Sequence, residues 1–157
     1  MLQLASGKEI GRLLEHVRAH AAQFDRVVLS SPFIDECGRR VVDRLYQSTR
    51  SLKTQLDILT TPLIARECVS RWPPRSGFQL RGCAGLHAKL YIAIGLRESD
   101  HVAIVTSANL TVAGLTENVE CGLRVSGSTR ALVSLIERIP ARVGLHIHRE
   151  GTRTCLR

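Results

Sequence analysis

Four side chains with complementary chemistry stand at two-residue spacing in two segments of the sequence. His87 and Lys89 open the segment HAKLYIAIG. Ser107 and Asn109 lie in the segment VTSANLT, a short distance further on. Side chains two residues apart on a strand project to the same face. If the two segments are neighbouring strands, an imidazole, an ammonium group, a hydroxyl and an amide converge on one small surface.

Such a group of side chains is suited to attack on a phosphodiester. The reaction needs a nucleophile that displaces an alkoxide, together with cations and N–H donors that hold the phosphoryl oxygens. Glu120 opens the next strand-like segment, close enough in the sequence for its carboxylate to reach the imidazole. Each residue also has a structural interpretation: a histidine satisfied in the core, a serine or asparagine bonded to its own backbone, or a glutamate paired with an arginine. The combination of residues favours a catalytic site. For Ser107, the functional and the structural interpretation are about equally supported.

The order of these residues resembles the phospholipase D superfamily. The signature of that superfamily is H-x-K-(x4)-D followed by G-S-x-N, and this chain has HAK followed by SANLT, with Gly114, Asn118 and Glu120 after them. Two positions depart from the signature, because Ile94 replaces the aspartate and Thr106 replaces the glycine. The interval between the two motifs is also longer than usual, which implies an extended hairpin around residues 95–100.

The resemblance implies a role for each matching residue. His87 would be the nucleophile and would form a phosphohistidine that water then hydrolyses. Lys89 and Asn109 would bind the non-bridging oxygens, with Ser107 as a supporting donor. Glu120 would accept the other ring N–H of the histidine and fix its tautomer.

The resemblance also implies a second histidine, which would protonate the leaving oxygen. This chain holds a single H-x-K motif, so we expect a symmetric homodimer in which His87 of each subunit lines one cleft. No cluster of carboxylates suggests a metal, and we expect no cofactor. His146 and His148 form a weaker metal candidate that lacks a third ligand.

The net charge points to a polyanionic partner. The 157 residues include 22 lysines and arginines against 14 acidic residues, a formal charge of +8. All but three of the cations are arginines, whose planar fork pairs with phosphate through two hydrogen bonds. We therefore expect DNA as the substrate. The resemblance to the phospholipase D superfamily, and not the charge, implies a helicase or defence-system protein as a further partner. No apolar run is long enough for a membrane span and the first residues do not resemble a signal peptide, so we expect a cytoplasmic location.

These observations together predict a metal-independent DNA endonuclease of phospholipase D type. Two alternatives remain open. One is a phospholipase D or phosphatidyltransferase that acts on lipid head groups and would expose an apolar patch near its cleft. The other is a nucleic-acid-binding subunit without catalysis, which the absent aspartate favours.

Hydrophobic periodicity predicts a single α/β domain over residues 1–157, with a mixed sheet flanked by helices. Ser6 and Glu9 predict a capping box at the first helix, Tyr91 is expected to pack inside, and the strands of the second half are expected to form a meander. The five cysteines, an odd number without a C-x-x-C pair, are expected to be buried and reduced. The predicted helices cover 6–22, 36–49, a segment that starts at Thr61 and Pro62, and 129–138 with Ser128 as its cap; the predicted strands cover 26–31, 55–60, 78–82, 86–94, 101–106 and 119–125, with an edge strand from Val143.

Overall fold

The structure is a computed structural model that describes residues 1–127. The predicted helix at 129–138, the edge strand from Val143 and the histidines at 146 and 148 lie outside the described residues. So does Cys155. The sheet holds seven strands: β1 Leu2–Ala5, β2 Phe24–Ser30, β3 Gln55–Thr60, β4 Phe78–Gly82, β5 Lys89–Gly95, β6 Val102–Thr106 and β7 Gly122–Ser126. The helices are α1 Gly7–Ala19, α2 Glu36–Ser48 and α3 Pro62–Cys68, with short helical turns at Ala21–Gln23, Glu98–Asp100 and Ala113–Glu117.

The sheet is mixed, and its strand order is β1-β7-β6-β5-β2-β3-β4. Strands β2, β3 and β4 run parallel, whereas β5, β6, β7 and β1 pair antiparallel with their neighbours. A mixed sheet with flanking helices confirms the predicted fold class. The carboxyl ends of the three parallel strands therefore lie at the same end of the sheet as the start of β5, the end of β6 and the start of β7. We call this row of strand ends the sheet edge.

Both faces of the central strands are buried. On one face, apolar side chains of α1 and α2 such as Val17 and Val42 pack against Tyr91 and Ile104. The other face carries a smaller apolar cluster that includes Ile92. Full burial on both sides makes the centre of the sheet a rigid base for whatever lies at its ends.

Most predicted elements are present with shifted ends, but four details of the prediction were wrong. The strand β1 was missed, since four residues are too few for a periodic pattern and its Leu2 and Leu4 are exposed on the outermost strand of the sheet. Ser6 precedes α1, but its side chain makes no capping hydrogen bond, so the capping box is absent. Strand β4 pairs parallel with β3 and takes no part in the meander, which only β5, β6 and β7 form. The helical turn at Ala113–Glu117 was also missed.

The cysteines are only partly as expected. Cys37, Cys68, Cys83 and Cys121 are free thiols. Cys68 is buried, Cys37 and Cys83 are half-buried, and Cys121 is exposed. The prediction that the cysteines are buried was therefore wrong for Cys121, which lies directly before β7. None of the helices within residues 1–127 has the length and apolar character that a membrane crossing requires.

Candidate active site

The predicted site residues lie at or just beyond the ends of neighbouring strands, at one edge of the sheet. Lys89 at the start of β5 pairs with Thr106 at the end of β6, which in turn pairs with Gly122 at the start of β7. His87 lies two residues before Lys89 and outside the strand, contrary to the prediction that places it within one. Ser107 and Asn109 follow β6, and Glu120 precedes β7 rather than beginning it. The antiparallel register thus brings the ends of three strands together.

The hydroxyl of Ser107 and the carboxylate of Glu120 are in direct contact at this edge. Ser107 Oγ donates to Glu120 Oε2, and it accepts a hydrogen bond from the backbone N–H of Cys121 at 3.1 Å. Asn118 Nδ2 donates to the other oxygen, Glu120 Oε1, at 3.1 Å. Each carboxylate oxygen has two lone pairs, so Glu120 can still accept another N–H. The carboxylate is thus held in one orientation by two side chains.

Lys89 and His87 carry functional groups that the protein leaves available. Lys89 is half-buried, and its Nζ donates to the backbone carbonyl of His87 at 3.1 Å. Within residues 1–127 the ammonium group has no carboxylate partner, and the exposed ring of His87 makes no hydrogen bond. A half-buried cation without a counter-ion attracts an anion from solution.

Asn109 is held in place by its backbone and not by its side chain. Its carbonyl accepts the N–H of Thr111 at 2.9 Å. A Cβ atom at Gly114 would stand 2.4 Å from that same carbonyl oxygen, so only glycine allows the chain to fold back so closely. The side-chain Oδ1 is buried without a hydrogen-bond partner in the described part of the chain. This oxygen is an acceptor, so only the Nδ2 group of the same amide can donate to a phosphoryl oxygen.

The loop that carries Asn109 is anchored to the core by a small polar network. Leu110 N–H donates to Ser31 Oγ at 2.9 Å, and the hydroxyl of Tyr91 donates to the carbonyl of Ala108 at 3.0 Å. Burial raises the pKa of Tyr91 well above its usual range, and the charge of Glu120 raises it further, although the hydrogen bond with Ser31 acts in the opposite direction. The phenol is therefore a neutral donor at every physiological pH, and the prediction that Tyr91 packs inside is confirmed.

Asp35 ties the same loop to α2. Its Oδ1 accepts from the N–H of Gly38 at the start of α2, at 2.9 Å, and its Oδ2 accepts from the N–H of Val112 at 2.8 Å. Sequence reasoning missed Ser31 and Asp35 as positioning residues. An aspartate directly before a helix is an N-cap signal and identifies one of these contacts, but the contact with Val112 spans 77 positions and leaves no local trace.

The structure therefore brings Ser107 and Glu120 into direct contact and places Lys89, Asn109 and His87 at the same sheet edge. The predicted hydrogen bond between the ring of His87 and Glu120 stays a prediction. Ile94, at the position of the family's aspartate, pairs with Arg26 on β2 and is half-buried near the far end of the strand. Within residues 1–127 no group of three His, Cys, Asp or Glu side chains is placed to hold a metal ion.

Solved structures with the same fold share little sequence with this chain. No model of a protein family matches the sequence, and no curated protein sequence matches it. Phosphatidylserine synthase from Haemophilus influenzae is similar over 90% of this chain and 37% of its own, with a TM-score of 0.66 and 12% identity. Nuc from Salmonella typhimurium, a phospholipase D family member, is similar over 92% of this chain and 95% of its own, with a TM-score of 0.64 and 16% identity.

A third structure is an archaeal chromatin protein, TrmBL2, which binds DNA. It is similar over 90% of this chain and 52% of its own, with a TM-score of 0.60 and 12% identity. This chain thus spans less than two thirds of the synthase and of the chromatin protein, but nearly the whole of Nuc. The shared architecture confirms the fold that the H-x-K and S-x-N residues predicted, which is the fold of the phospholipase D superfamily.

Proposed function

Given the phospholipase D fold, we propose that the chain is a metal-independent phosphodiesterase that cleaves DNA, with His87 as its nucleophile. One observation carries the proposal. The ring of His87 makes no hydrogen bond in residues 1–127, and the ammonium of Lys89 contacts one backbone carbonyl and no carboxylate. Both lie at the same sheet edge as the side chain of Asn109, beside a carboxylate that Ser107 and Asn118 hold in place. A nucleophile, a cation without a counter-ion and an amide that can donate match the requirements of attack at phosphorus.

The first step of the proposed reaction transfers the phosphoryl group to the histidine. A lone pair of the His87 ring attacks phosphorus, the bond from phosphorus to the leaving oxygen breaks, and that oxygen takes a proton from His87 of a second subunit. Lys89 and the amide of Asn109 neutralise and orient the non-bridging oxygens. Glu120 accepts the remaining ring N–H of the nucleophile, which keeps the attacking nitrogen unprotonated.

The second step regenerates the enzyme. Water attacks the phosphohistidine, the bond between phosphorus and nitrogen breaks, and the histidine of the second subunit takes the proton from the water. The histidine of the second subunit thus gives one proton to the leaving oxygen in the first step and regains one from water in the second, so both rings return to their starting states. This cycle needs two copies of His87, and the single H-x-K motif supports a homodimer as the source of the second copy.

DNA is the proposed substrate because of charge. The formal charge of +8 per chain, mostly arginine, favours a polyphosphate over a neutral phospholipid surface. The DNA-binding chromatin protein with a similar fold supports the same choice. Plasmid nicking in the presence of EDTA tests the proposal, with phospholipid vesicles as the competing substrate. Nicking that EDTA abolishes would overturn the mechanism.

Mixed dimers test the shared cleft. When wild-type chain is co-refolded with an excess of His87→Ala chain, a site built from two histidines loses activity faster than simple dilution predicts. Independent sites would lose it in proportion to the wild-type fraction. Activity from a species that light scattering identifies as a monomer would contradict the dimer as well.

One observation favours a phospholipid headgroup as a second candidate substrate. Four large apolar side chains are exposed at the same sheet edge: Phe33 after β2, Leu63 in the first turn of α3, Val112 in the loop after β6, and Val119 before β7. Apolar side chains around a polar site are suited to a membrane surface. Release of headgroups from vesicles, with no cleavage of DNA, would establish this candidate in place of the first.

A further inference from the structure

Phe33 is an exception among the aromatic side chains. The chain has six tryptophan, tyrosine and phenylalanine residues, and all of them lie in the described part. Five are buried, whereas the side chain of Phe33 is 62% exposed. Exposing a phenylalanine forgoes the free energy that its burial would supply. The five buried residues are Phe24, Tyr46, Trp72, Phe78 and Tyr91.

The loop around Phe33 is firmly held, so the ring has a fixed position. The hydroxyl of Ser31 donates to the Phe33 carbonyl at 2.7 Å. Pro32 and Ile34, its two neighbours, are buried, and Ile34 forms a β-bridge with Leu110. With the backbone fixed on both sides of Phe33, the ring projects outward.

The fixed position lies beside the candidate site. Phe33 follows the end of β2, where Ser30 Oγ donates to the carbonyl of Ala88 at 2.9 Å. Ala88 is the residue between His87 and Lys89. On the other side, the bridge partner Leu110 is the residue after Asn109. The backbone that carries Phe33 is thus joined on one side to the segment of the nucleophile and on the other to the segment of the amide.

From this placement we propose that Phe33 stacks on an unpaired base of a nucleic-acid strand whose phosphate occupies the candidate site. The inference rests on the proposed function, in that it takes nucleic acid as the substrate. A phenyl ring has no hydrogen-bonding group and stacks on the face of any base, so it favours no sequence. In a duplex both faces of each base are covered by its neighbours. A single strand, or an unpaired region, is therefore the preferred substrate.

Binding of a labelled single-stranded DNA oligonucleotide, measured by anisotropy, tests the inference. Every chain compared carries His87→Ala so that the oligonucleotide is not cleaved, and wild type refers here to position 33. Phe33→Leu keeps an apolar side chain but removes the stacking face, and we expect it to weaken binding about tenfold. Phe33→Trp retains a stacking face and is expected to bind as tightly as the wild type. Leu96→Ala removes an exposed apolar side chain in the hairpin at the far end of the sheet, and it serves as the matched control without an effect.

A second readout separates stacking from a general loss of fold. An oligonucleotide with abasic positions offers the same phosphates without bases, so wild type and Phe33→Leu are expected to bind it equally. Equal binding of the normal oligonucleotide by these two proteins overturns the inference. So does a wild-type chain that does not bind the single strand at all.

Other outcomes assign Phe33 to a different contact. If Phe33→Leu weakens binding to phospholipid vesicles and leaves DNA binding unchanged, the ring contacts lipid. If it converts a dimer into monomers by light scattering, the ring is a subunit contact. Both results overturn stacking. Failure of the proposed function is distinct, because a chain that binds the single strand through Phe33 without cleaving any DNA contradicts the endonuclease and not the stacking.

Discussion

Two regions of the molecule differ in how their charged side chains are paired. One is the corner between α2 and α3, and the other is the sheet edge that bears His87. At the corner, the guanidinium of Arg71 donates to both Glu36 and Asp43, and Trp72 Nε1 donates to Asp43 at 2.7 Å. At the sheet edge, the ammonium of Lys89 has one backbone carbonyl within hydrogen-bond distance. The corner's charges are satisfied by one another, which stabilises the fold.

A second arginine of the corner has several partners but is not fully satisfied. Arg75 donates to the carbonyl of Tyr46 and to Thr49 Oγ1, and its guanidinium lies 4.5 Å from the centre of the Tyr46 ring. Its Nε is buried without a hydrogen-bond partner in the described part of the chain, as is Oδ1 of Asn109 at the sheet edge. The difference between the two regions therefore lies in charge: Arg71 is paired with two carboxylates, whereas the ammonium of Lys89 has none and remains available to an anion.

Removal of the proposed nucleophile, His87, should give the largest loss of DNA cleavage. We expect His87→Ala to lower DNA cleavage at least about a thousandfold, because the covalent step has no substitute. Since the ring is exposed and makes no hydrogen bond in residues 1–127, the free energy of unfolding should change by less than about 0.5 kcal/mol. His101→Ala, a histidine near the opposite end of the sheet, is the matched control. Undiminished cleavage by His87→Ala would place the nucleophile elsewhere.

Removal of the Lys89 charge should give the second largest loss of DNA cleavage. Lys89→Met keeps the apolar stem and removes the charge, and we expect cleavage to fall about a hundredfold or more. The fold loses no ion pair, so thermal unfolding should occur at the same temperature or higher. Cleavage assays and circular dichroism check the two parts. A clear drop in stability would show that Lys89 belongs with the residues that hold the fold.

Asn109 should show a trade between stability and activity. Asn109→Leu is close in size and removes the unsatisfied amide, so the free energy of unfolding should stay the same or rise by up to about 1 kcal/mol. Cleavage should fall about tenfold to a hundredfold, because a donor to the phosphoryl oxygen is lost. Denaturant unfolding and steady-state kinetics measure the two effects. Full activity in this variant would remove Asn109 from the site.

Breaking the ion pair between Arg71 and Asp43 at the corner should give the smallest effect, a loss of stability that depends on pH. The hydrogen bond from Arg71 holds the pKa of Asp43 below its usual value of 3.8. A lowered pKa contributes stability above the unfolded value, and the contribution is lost as pH falls through the folded value. Arg71→Met should therefore destabilise the protein by about 1 kcal/mol at pH 7, and by less below pH 3.8, with cleavage unchanged. A difference independent of pH would contradict this ion pair.

The sequence predicted the elements that carry their own local signals. Thr61 and Pro62 mark the start of α3, and the β-branched run of β2 marks a buried strand, so both were found. The site residues, predicted from their order along the chain, lie at one sheet edge in the structure, and their roles stay a prediction. Local signals cannot show pairing, which is why the parallel partner of β4 and the edge strand at Leu2–Ala5 were missed.

The contacts between the candidate site residues could not be predicted from the sequence. The partners of Glu120 are Ser107 and Asn118, and the sequence offered no reason to prefer Ser107 over the ring of His87. The exposure of Phe33 was equally invisible, because a phenylalanine between a proline and an isoleucine is typical of a buried segment. Both features depend on how distant loops meet at the sheet edge, and only the folded chain determines that.

The measurement that tests the central claim most directly is the capture of the covalent intermediate. Wild-type chain is incubated in EDTA with DNA labelled at its phosphates, quenched during turnover, and digested for mass spectrometry. We predict an acid-labile phosphoryl adduct on the imidazole of His87, absent from the His87→Ala protein and unaffected by the chelator. An adduct on another residue, or steady cleavage in EDTA by the His87→Ala protein, would contradict it.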